Sequence, residues 1–491
     1  MEWVIANMAP LMFGALVLFL LIGYPVAFAL AANGIVFGLI GIELGLLTPA
    51  LFQALPERIF GIMANDTLLA IPFFTFMGLI LERSGMAEDL LDTIGQLFGP
   101  MRGGLAYAVI FVGALLAATT GVVAASVISM GLISLPIMLR YGYDKRLASG
   151  VIAASGTLAQ IIPPSLVLII MADQLGRSVG DMYEGAMIPG LVLTSMYVGY
   201  VALLSVIKPN TCPALPPEAR SLRGFKLMLR VLTTLVPPLV LIFLVLGTIF
   251  LGIATPTEGG AMGAAGALIL ALARQRLSFK LLKQAMETTG KLSSFVVFIL
   301  VGSTVFGLVF RGVNGDLWVE HLLLGLPGGQ VGFLIVVNLL VFVLAFFLDF
   351  FELSFIIVPL LAPVADKLGI DLVWFGVLLA VNMQTSFMHP PFGFALFYLR
   401  SVAPSSIKTT DIYWGAIPFV CIQIIMVALI IIFPNIVSYG DPAERARIEQ
   451  QGESGGADLD TLMRGDSGSS SDSKDGDNSA DLLKNLQSND K

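Results

Sequence analysis

Two acidic residues, Asp349 and Glu352, lie inside a long apolar segment, where a charged side chain is unexpected. An ionisable group at membrane depth costs roughly 2.5–3.5 kcal/mol on insertion scales, so such a residue usually has a partner or a function. We therefore expect Asp349 to bind an ion or a substrate, with capture by backbone amides at a hairpin tip as the alternative. Glu352 is one turn away and either serves the same site or braces Asp349.

Two Pro-Pro pairs, beginning at Pro163 and Pro390, follow short polar stretches inside apolar sequence. A proline lacks the backbone N–H, clashes with the carbonyl four residues earlier and pushes the preceding residue out of the α region. We expect both helices to break mid-membrane. The freed carbonyls and helix C-termini suit Na⁺, and the new helix N-termini suit an anionic substrate group. The alternative is a pair of structural kinks.

The two regions repeat one pattern at an offset of 227 residues. At this offset Gly142 aligns with Gly369, Asp144 aligns with Asp371, and the two proline pairs align with each other. One matched position would be chance, but a matched glycine, aspartate and proline pair indicate an internal repeat.

A long apolar segment with an interrupted middle precedes each copy, at residues 104–139 and 331–365. Each is too long for one span and short for two. This favours a re-entrant hairpin, because irregular backbone is tolerated at membrane depth where protein or a water-filled cavity surrounds it. Basic clusters at 208–230 and 274–291 mark cytoplasmic loops. Counting spans from them opens the first hairpin to the cytoplasm and the second to the outside, which is the inverted arrangement typical of a transporter.

Polar residues at the hairpin tips and helix breaks are the candidates for ion or substrate binding. Their hydroxyl, amide and main-chain oxygens can bind Na⁺, although Ser and Thr in membrane helices often bond back to a carbonyl one turn earlier. His389 either senses pH or donates to a carboxylate, or it fills a polar pocket at the break. The candidate residues are Thr119, Thr120, Gly121, Ser126, Ser155, Gly156, Thr157, Pro163, Asp349, Glu352, Asn382, Gln384, Thr385, His389 and Pro390. Na⁺ itself is expected near Thr120, Gly156, Asp349 and Thr385.

The composition is that of a membrane protein. Hydrophobic residues make up 57% of the chain and charged residues only 12%, whereas about 25% of a soluble domain is charged. Apolar runs long enough to cross a bilayer as helices recur up to about residue 438. The fold class is therefore an all-α polytopic membrane protein with two re-entrant hairpins and two broken helices. Two Cys and two His predict neither a structural disulfide nor a conventional zinc site, and there is no basic patch for nucleic acid.

The chain divides into six predicted parts. The tail carries twelve acidic and six basic residues and is rich in Ser, Gly and Asn, so it is expected to be disordered. The parts are residues 1–103, scaffold spans with an interfacial helix; 104–182, the first hairpin and broken helix; 183–330, scaffold spans and cytoplasmic loops; 331–404, the second hairpin and broken helix; 405–440, the last span; and 441–491, the tail.

Over about residues 5–440 the chain resembles the large membrane subunit of the tripartite ATP-independent periplasmic (TRAP) transporters, within the ion-transporter superfamily. The residues that carry the resemblance are Leu68-Leu69-Ala70-Ile71-Pro72, Gly142-Tyr143, Ile162-Pro163-Pro164-Ser165, Ala254-Thr255-Pro256-Thr257-Glu258, Gly369-Ile370-Asp371 and Pro390-Pro391-Phe392-Gly393. The resemblance implies an elevator mechanism in a bacterial inner membrane, coupled to Na⁺ and without a cofactor. It also implies a periplasmic substrate-binding protein and a separate, small four-helix membrane subunit as partners.

One departure from the family pattern bears on the substrate. The family usually has Thr before the second Pro-Pro, where this chain has His389. With Leu360-Leu361-Ala362-Pro363, this region resembles the branch loosely named for mannitol and chloroaromatic compounds. That branch implies a small organic anion, such as a 2-oxo acid or another monocarboxylate.

Other function classes lack their motifs. The sequence has no H-E-x-x-H motif and no Ser motif near either His, so an enzyme is not expected, and no Walker-type motif supports a primary pump. A passive channel would not need two inverted ion-site hairpins. The alternative within the superfamily is a carrier that is proton-coupled or works without a binding protein.

Overall fold

The computed structural model describes residues 2–120, 123–220, 222, 224–346 and 348–440, with only the backbone of Leu21, Thr119 and Thr120. Gly121 and the predicted disordered tail lie outside the described residues. Within them the chain is helical and contains no strand. The predicted all-α class is confirmed.

Eleven helices make up the first half of the membrane unit. They are α1 (Glu2–Ala6), α2 (Met8–Leu21), α3 (Val26–Glu43), α4 (Leu55–Met63), α5 (Asp66–Arg83), α6 (Met86–Phe98), α7 (Gly104–Thr120), α8 (Val123–Arg140), α9 (Lys145–Thr157), α10 (Leu166–Leu175) and α11 (Val179–Ile207). Ten form the second half: α12 (Gly224–Phe250), α13 (Pro256–Ala273), α14 (Phe279–Gly312), α15 (Gly315–Leu324), α16 (Gly329–Leu344), α17 (Phe350–Glu352), α18 (Val358–Lys367), α19 (Leu372–Gln384), α20 (Phe394–Val402) and α21 (Thr409–Ile432).

Six of the described helices are long and apolar enough to cross a bilayer, or up to eight if each of two bent pairs counts as one span. The longest, α14, has 34 residues and is therefore about 50 Å long, well beyond the hydrocarbon core of about 30 Å. α13 begins at Pro256, and Thr255 and Glu258 form the reciprocal bonds of a capping box at its start.

The 227-residue repeat covers most of the membrane unit, which is more than the sequence indicated. At this offset α9 (145–157) aligns with α19 (372–384), and both ends coincide. In the same way α8 (123–140) aligns with residues 350–367, which begin with α17 and end with α18. Outside the predicted copies, α3 corresponds to α13, α6 to α15 and α11 to α21. The relationship was not visible there because no glycine or proline of α3, α6 or α11 falls on another glycine or proline at this offset.

Helices of the two halves exchange partners. α3 packs along α14 while its counterpart α13 packs along α5, and α10 packs on α18 while α20 packs on α8. A two-fold axis between the halves interchanges each helix with its counterpart. Each contact between two helices is therefore repeated between their two counterparts, which gives such exchanged pairs. The halves are therefore related by a two-fold axis, as expected for an inverted repeat.

Each predicted hairpin closes at its base. In the first half, α7 packs against α8, and the Leu105 N–H donates to the Tyr143 hydroxyl at 3.1 Å. Burial raises the pKa of Tyr143, so its hydroxyl stays neutral. In the second half, Gln330 Nε2 donates to the Leu368 carbonyl at 2.5 Å, from the start of α16 to the end of α18. The chain thus enters and leaves each hairpin at one end.

The same corner leads from each hairpin into its broken helix. Gly142 and Gly369 have φ of +80° and +69°, a left-handed conformation that favours glycine at a helix C-terminus. Asp144 then accepts from the Arg146 N–H at 2.9 Å, and Asp371 accepts from the Trp374 N–H at 2.8 Å. These are N-caps of α9 and α19, so the repeated Gly and Asp have geometric reasons.

Two elements outside the hairpins have clear positions. The predicted interfacial helix, α6, is held to a basic loop by Asp89, which lies 3.1 Å from Arg276 and 3.6 Å from Arg274. α11, which the sequence analysis grouped with the scaffold spans, packs against α10, α19 and α21.

Candidate functional site

The first helix break lies where the sequence predicted it. α9 ends at Thr157, a 3₁₀ turn follows at Leu158–Gln160, and α10 begins at Leu166. The Pro163–Pro164 peptide bond is cis. Ser165 caps α10 and donates its hydroxyl proton to the Gln160 carbonyl at 2.6 Å. The break is a buried, hydrogen-bonded structure rather than a simple kink.

The second break repeats this architecture and differs in exposure. α19 ends at Gln384, a 3₁₀ turn covers Thr385–Phe387, and α20 begins at Phe394. The Pro390–Pro391 bond is also cis. Pro163, Pro164 and Ser165 are buried, whereas Pro391 and Phe392 are exposed. The two breaks therefore face different environments in this conformation.

Glycines bring the first break against both arms of the first hairpin. A Cβ on Gly156 would lie 2.3 Å from Val127 Cγ2 of α8, and a Cβ on Gly113 of α7 would lie 2.5 Å from Ser155 Cβ. Ser155 and Gly156 are thus held between the arms, with Ser126 buried on α8 next to Val127. The side chains of Thr119 and Thr120, and all of Gly121, lie outside the description, so their predicted roles remain predictions.

Asparagines make the corresponding contact in the second half. Asn382, the counterpart of Ser155, donates through Nδ2 to the carbonyl of Asn338 at 2.8 Å and to its Oδ1 at 2.9 Å. Thr385 bonds back to the Asn382 carbonyl at 2.6 Å. The second broken helix is therefore tied to the first arm of its own hairpin.

His389 occupies an aromatic environment. Its ring is stacked on Phe346 with centroids 4.3 Å apart and meets Phe342 edge-on, also at 4.3 Å. Of the two interpretations for His389, the polar pocket does not match these neighbours, because the preceding arm of the hairpin presents phenylalanines to the break. In the described residues no acidic side chain forms an ion pair with His389.

Asp349 and Glu352 form a capping box at the start of α17, in the second arm of the second hairpin. The Glu352 N–H donates to Asp349 Oδ1 at 3.0 Å, and the Asp349 N–H donates to Glu352 Oε2 at 3.0 Å. Glu352 therefore braces Asp349, which was one of its two expected roles. One oxygen of each carboxylate caps the helix, and no Lys or Arg of the described residues pairs with either acid. No described contact joins Asp349 to Gly156 or Thr385.

The two breaks meet through a polar network. Gln384 Nε2 donates to Thr157 Oγ1 at 3.1 Å, and these residues are 227 positions apart. Gln423 Nε2 donates to Tyr197 Oη at 3.0 Å and to Thr157 Oγ1 at 3.5 Å, and Tyr197 and Gln423 are 226 positions apart. Equivalent residues can touch only near a two-fold axis, so the network marks the axis.

Sequence reasoning missed Asn338, Tyr197 and Gln423, although each is a buried polar residue in an apolar helix. The repeat offset would not have paired the last two, because at 227 residues Tyr197 falls on Ile424, the neighbour of Gln423. Other polar atoms at the breaks are buried and, within the described part of the chain, have no hydrogen-bond partner. They are Ser155 Oγ, Gln160 Oε1 and Nε2, Gln384 Oε1, Ser386 Oγ and Gln423 Oε1.

Leaving a buried polar atom unpaired costs about 1–3 kcal/mol. Such a concentration of unpaired atoms is characteristic of a site that a polar ligand or ion completes. The donor set consists of hydroxyl, amide and main-chain oxygens. The described residues contain no cluster of three or more His, Cys, Asp or Glu side chains that could hold a metal ion. This chemistry fits a hard monovalent cation better than a transition metal.

Comparison with known proteins agrees with this geometry. Residues 13–436 match the family described as tripartite ATP-independent periplasmic transporter, DctM component. The C4-dicarboxylate TRAP transporter large permease DctM of Vibrio cholerae is 29% identical over 86% of this chain and 94% of its own length. Its counterpart from Pseudomonas aeruginosa is 30% identical over 80% of this chain and 90% of its own length.

A solved structure shares the fold. The Alcanivorax borkumensis YdaH transporter has a TM-score of 0.52 and 15% identity, covering 79% of this chain and 90% of its own. The inverted halves, the six or more apolar spans and the family match lead to one assignment. The chain belongs to the DctM family of tripartite ATP-independent periplasmic transporters, and it is a multi-pass inner-membrane transport subunit rather than an enzyme.

Proposed function

We propose that this protein takes up a small organic carboxylate across the inner membrane, driven by a Na⁺ gradient. The observation that carries the proposal is the junction of the two breaks at the Thr157–Gln384 hydrogen bond. Buried oxygens without partners surround that junction. A cation held there lies between two helix C-termini, α9 and α19, whose partial negative charge stabilises it.

The anionic group of the substrate is expected to bind at the helix N-termini that follow the breaks. α10 and α20 begin directly after the breaks, at Leu166 and Phe394. Their N-termini carry partial positive charge and free N–H groups, which favour a carboxylate. Cation and anion then neutralise each other in one site, which supports coupled movement of the two.

The remaining elements of the proposal concern movement and partners. The two hairpins and broken helices slide together against α2–α5 and α12–α14 as an elevator. A small four-helix membrane subunit and a periplasmic binding protein complete the transporter. Named relatives act on different solutes, C4-dicarboxylates in Vibrio cholerae and sialic acid in Haemophilus influenzae. For this chain we favour a monocarboxylate such as a 2-oxo acid, because Leu360-Leu361-Ala362-Pro363 and the residues around His389 resemble the mannitol and chloroaromatic branch.

The test is uptake into proteoliposomes that contain this chain with the small membrane subunit and periplasmic binding protein of its own organism. Radiolabelled pyruvate and succinate are supplied with an inward Na⁺ gradient. Saturable uptake that disappears when K⁺ replaces Na⁺ is expected. Uptake that is unaffected by this replacement overturns the coupling, and flux without saturation overturns the carrier.

Proton coupling is the second candidate function, and the Asp349–Glu352 pair favours it. Both are protonatable side chains one turn apart, with no basic partner among the described residues. The ionophores monensin and a protonophore separate the two modes. Monensin abolishes Na⁺-driven uptake. Uptake that runs on an inward proton gradient in Na⁺-free buffer, and that the protonophore abolishes, is expected only for the proton-coupled mode.

A further inference from the structure

A cavity of about 360 Å³ is lined by none of the residues at the helix breaks. Helices α4, α5 and α14 form one wall. The end of α10 and the second arm of the second hairpin form the other. Its volume is within the range of about 300–1,000 Å³ found for small-molecule sites. The cavity therefore separates the elements proposed to stay fixed from those proposed to move.

Two arginines line this cavity, Arg58 from α4 and Arg311 from α14. Both are exposed, and in the part of the chain that the structure describes neither forms an ion pair. The opposing charge is Asp173, whose two oxygens accept from Asn65 Nδ2 at 2.6 Å and Gln174 Nε2 at 2.8 Å. The cavity wall thus has a net positive charge, and its acid is already hydrogen-bonded.

The cavity is at the outer end of the molecule. α14 starts after the basic loop around Arg276, which the positive-inside rule places in the cytoplasm, and ends at Gly312 beside Arg311. The Asn65–Asp173 hydrogen bond brings the start of α5 and the end of α10 to the same level. A solute that arrives from outside meets this surface first.

The inner wall of the cavity is close to the second break. Phe355 lines the cavity, and its carbonyl accepts from the Ser303 hydroxyl at 2.6 Å. The preceding residue, Ser354, contacts the sulfur atoms of Met171 at 3.6 Å and Met383 at 3.7 Å. Met383 directly precedes Gln384 of the polar network, so the cavity is connected to the break through one layer of side chains.

We propose that Arg58 and Arg311 form an outer binding site for a small carboxylate, which holds the substrate before it reaches the helix breaks. The guanidinium group pairs with a carboxylate through two parallel hydrogen bonds, and Phe355, Ile356 and Leu360 offer an apolar wall for the rest of the solute. Simple contact with the membrane interface explains one arginine at a helix end, but it does not explain two that share a cavity. The inference rests on the proposed carboxylate transport.

The site is tested by the reactivity of a thiol placed in the cavity. Thr304 lines the cavity, and Thr304→Cys is made in a chain with Cys212→Ser and Cys421→Ser. The modification rates with an anionic and a cationic methanethiosulfonate are compared in the purified complex. Arg58→Gln with Arg311→Gln is expected to lower the anionic-to-cationic rate ratio by about tenfold, because the cavity loses its local positive potential. Lys280→Gln, an exposed cation on the cytoplasmic side, is the matched control and leaves the ratio unchanged.

Protection identifies the ligand. Pyruvate or succinate slows modification of the introduced thiol only when both arginines are present, and pyruvamide, the uncharged analogue of pyruvate, does not. An unchanged rate ratio, or protection that survives the double substitution, overturns the site. Equal protection but weaker binding of the periplasmic protein assigns the arginines to protein docking instead. The assay needs no ion gradient, so failure of Na⁺-driven uptake with intact protection contradicts the proposed function and leaves the site standing.

Discussion

The Gln384 amide donates to the Thr157 hydroxyl at 3.1 Å, and the two residues occupy the same position in the two halves of the chain. This bond joins the broken helix of one half to that of the other, at the end of α9 and of α19. Any relative movement of the two breaks must stretch or break it. The two hairpins and their broken helices are therefore expected to move as one unit.

Thr157→Val tests that junction. Valine keeps the shape of the side chain but removes the acceptor of the Gln384 and Gln423 amides, which are buried. We expect a loss of about 1–3 kcal/mol in stability and strongly reduced uptake. Thermal unfolding of the purified complex and proteoliposome uptake measure the two effects. Thr233→Val, where the hydroxyl bonds only within its own exposed helix, is the control, and an equal effect of both substitutions would contradict the special role of Thr157.

Gly156→Ala tests the close approach of the first break to its hairpin. The added Cβ would lie 2.3 Å from Val127 Cγ2, so the hairpin must move away from the break. Uptake is expected to fall at least about tenfold, because a small misplacement of a binding group is costly. Gly290→Ala, in a helix with nothing within 4 Å of the new Cβ, should have no such effect. Adding Val127→Ala should restore uptake partly, and no rescue would argue against this contact as the cause.

Asp349→Asn separates capping from ion binding. Asparagine is as good an N-cap as aspartate, so the second hairpin arm should keep its stability. We expect reduced Na⁺-driven uptake with normal expression, measured over a Na⁺ titration. Asp144→Asn makes the same change at the N-cap of α9 and should leave the Na⁺ dependence alone. Wild-type uptake at every Na⁺ concentration would remove Asp349 from the site.

His389→Phe separates an aromatic packing role of the His389 imidazole from an acid–base role of its ring nitrogens. Phenylalanine keeps the ring contacts with Phe342 and Phe346. An aromatic pair of this kind stabilises the folded protein by about 0.5–1.5 kcal/mol. Uptake and its pH profile are expected to stay near wild type, whereas His389→Thr, the residue usual in the family, should lower the unfolding temperature. If the Phe variant is stable but inactive, the ring nitrogens take part in transport.

Much of the fold follows from local rules that the sequence displays. A proline pair disfavours a continuous helix, although Pro237 and Pro238 lie inside α12 without ending it. An apolar chain must be helical in a membrane, and a glycine and aspartate at matched offsets favour matched corners. The breaks at Pro163 and Pro390 and the two hairpins were therefore predictable. The environment of His389 was not, because it depends on which face of α16 turns towards the break.

The sequence by itself determined that this chain is a helical membrane transporter built from inverted copies, because hydropathy, proline and glycine act over a few neighbouring residues. Only the tertiary structure decided that the copies extend over most of the membrane unit, that Thr157 and Gln384 meet on the axis, and that Arg58 and Arg311 share one cavity. The two residue pairs are each separated by 227 or more positions in the chain. Their contacts arise from helix packing, which no short stretch of sequence records.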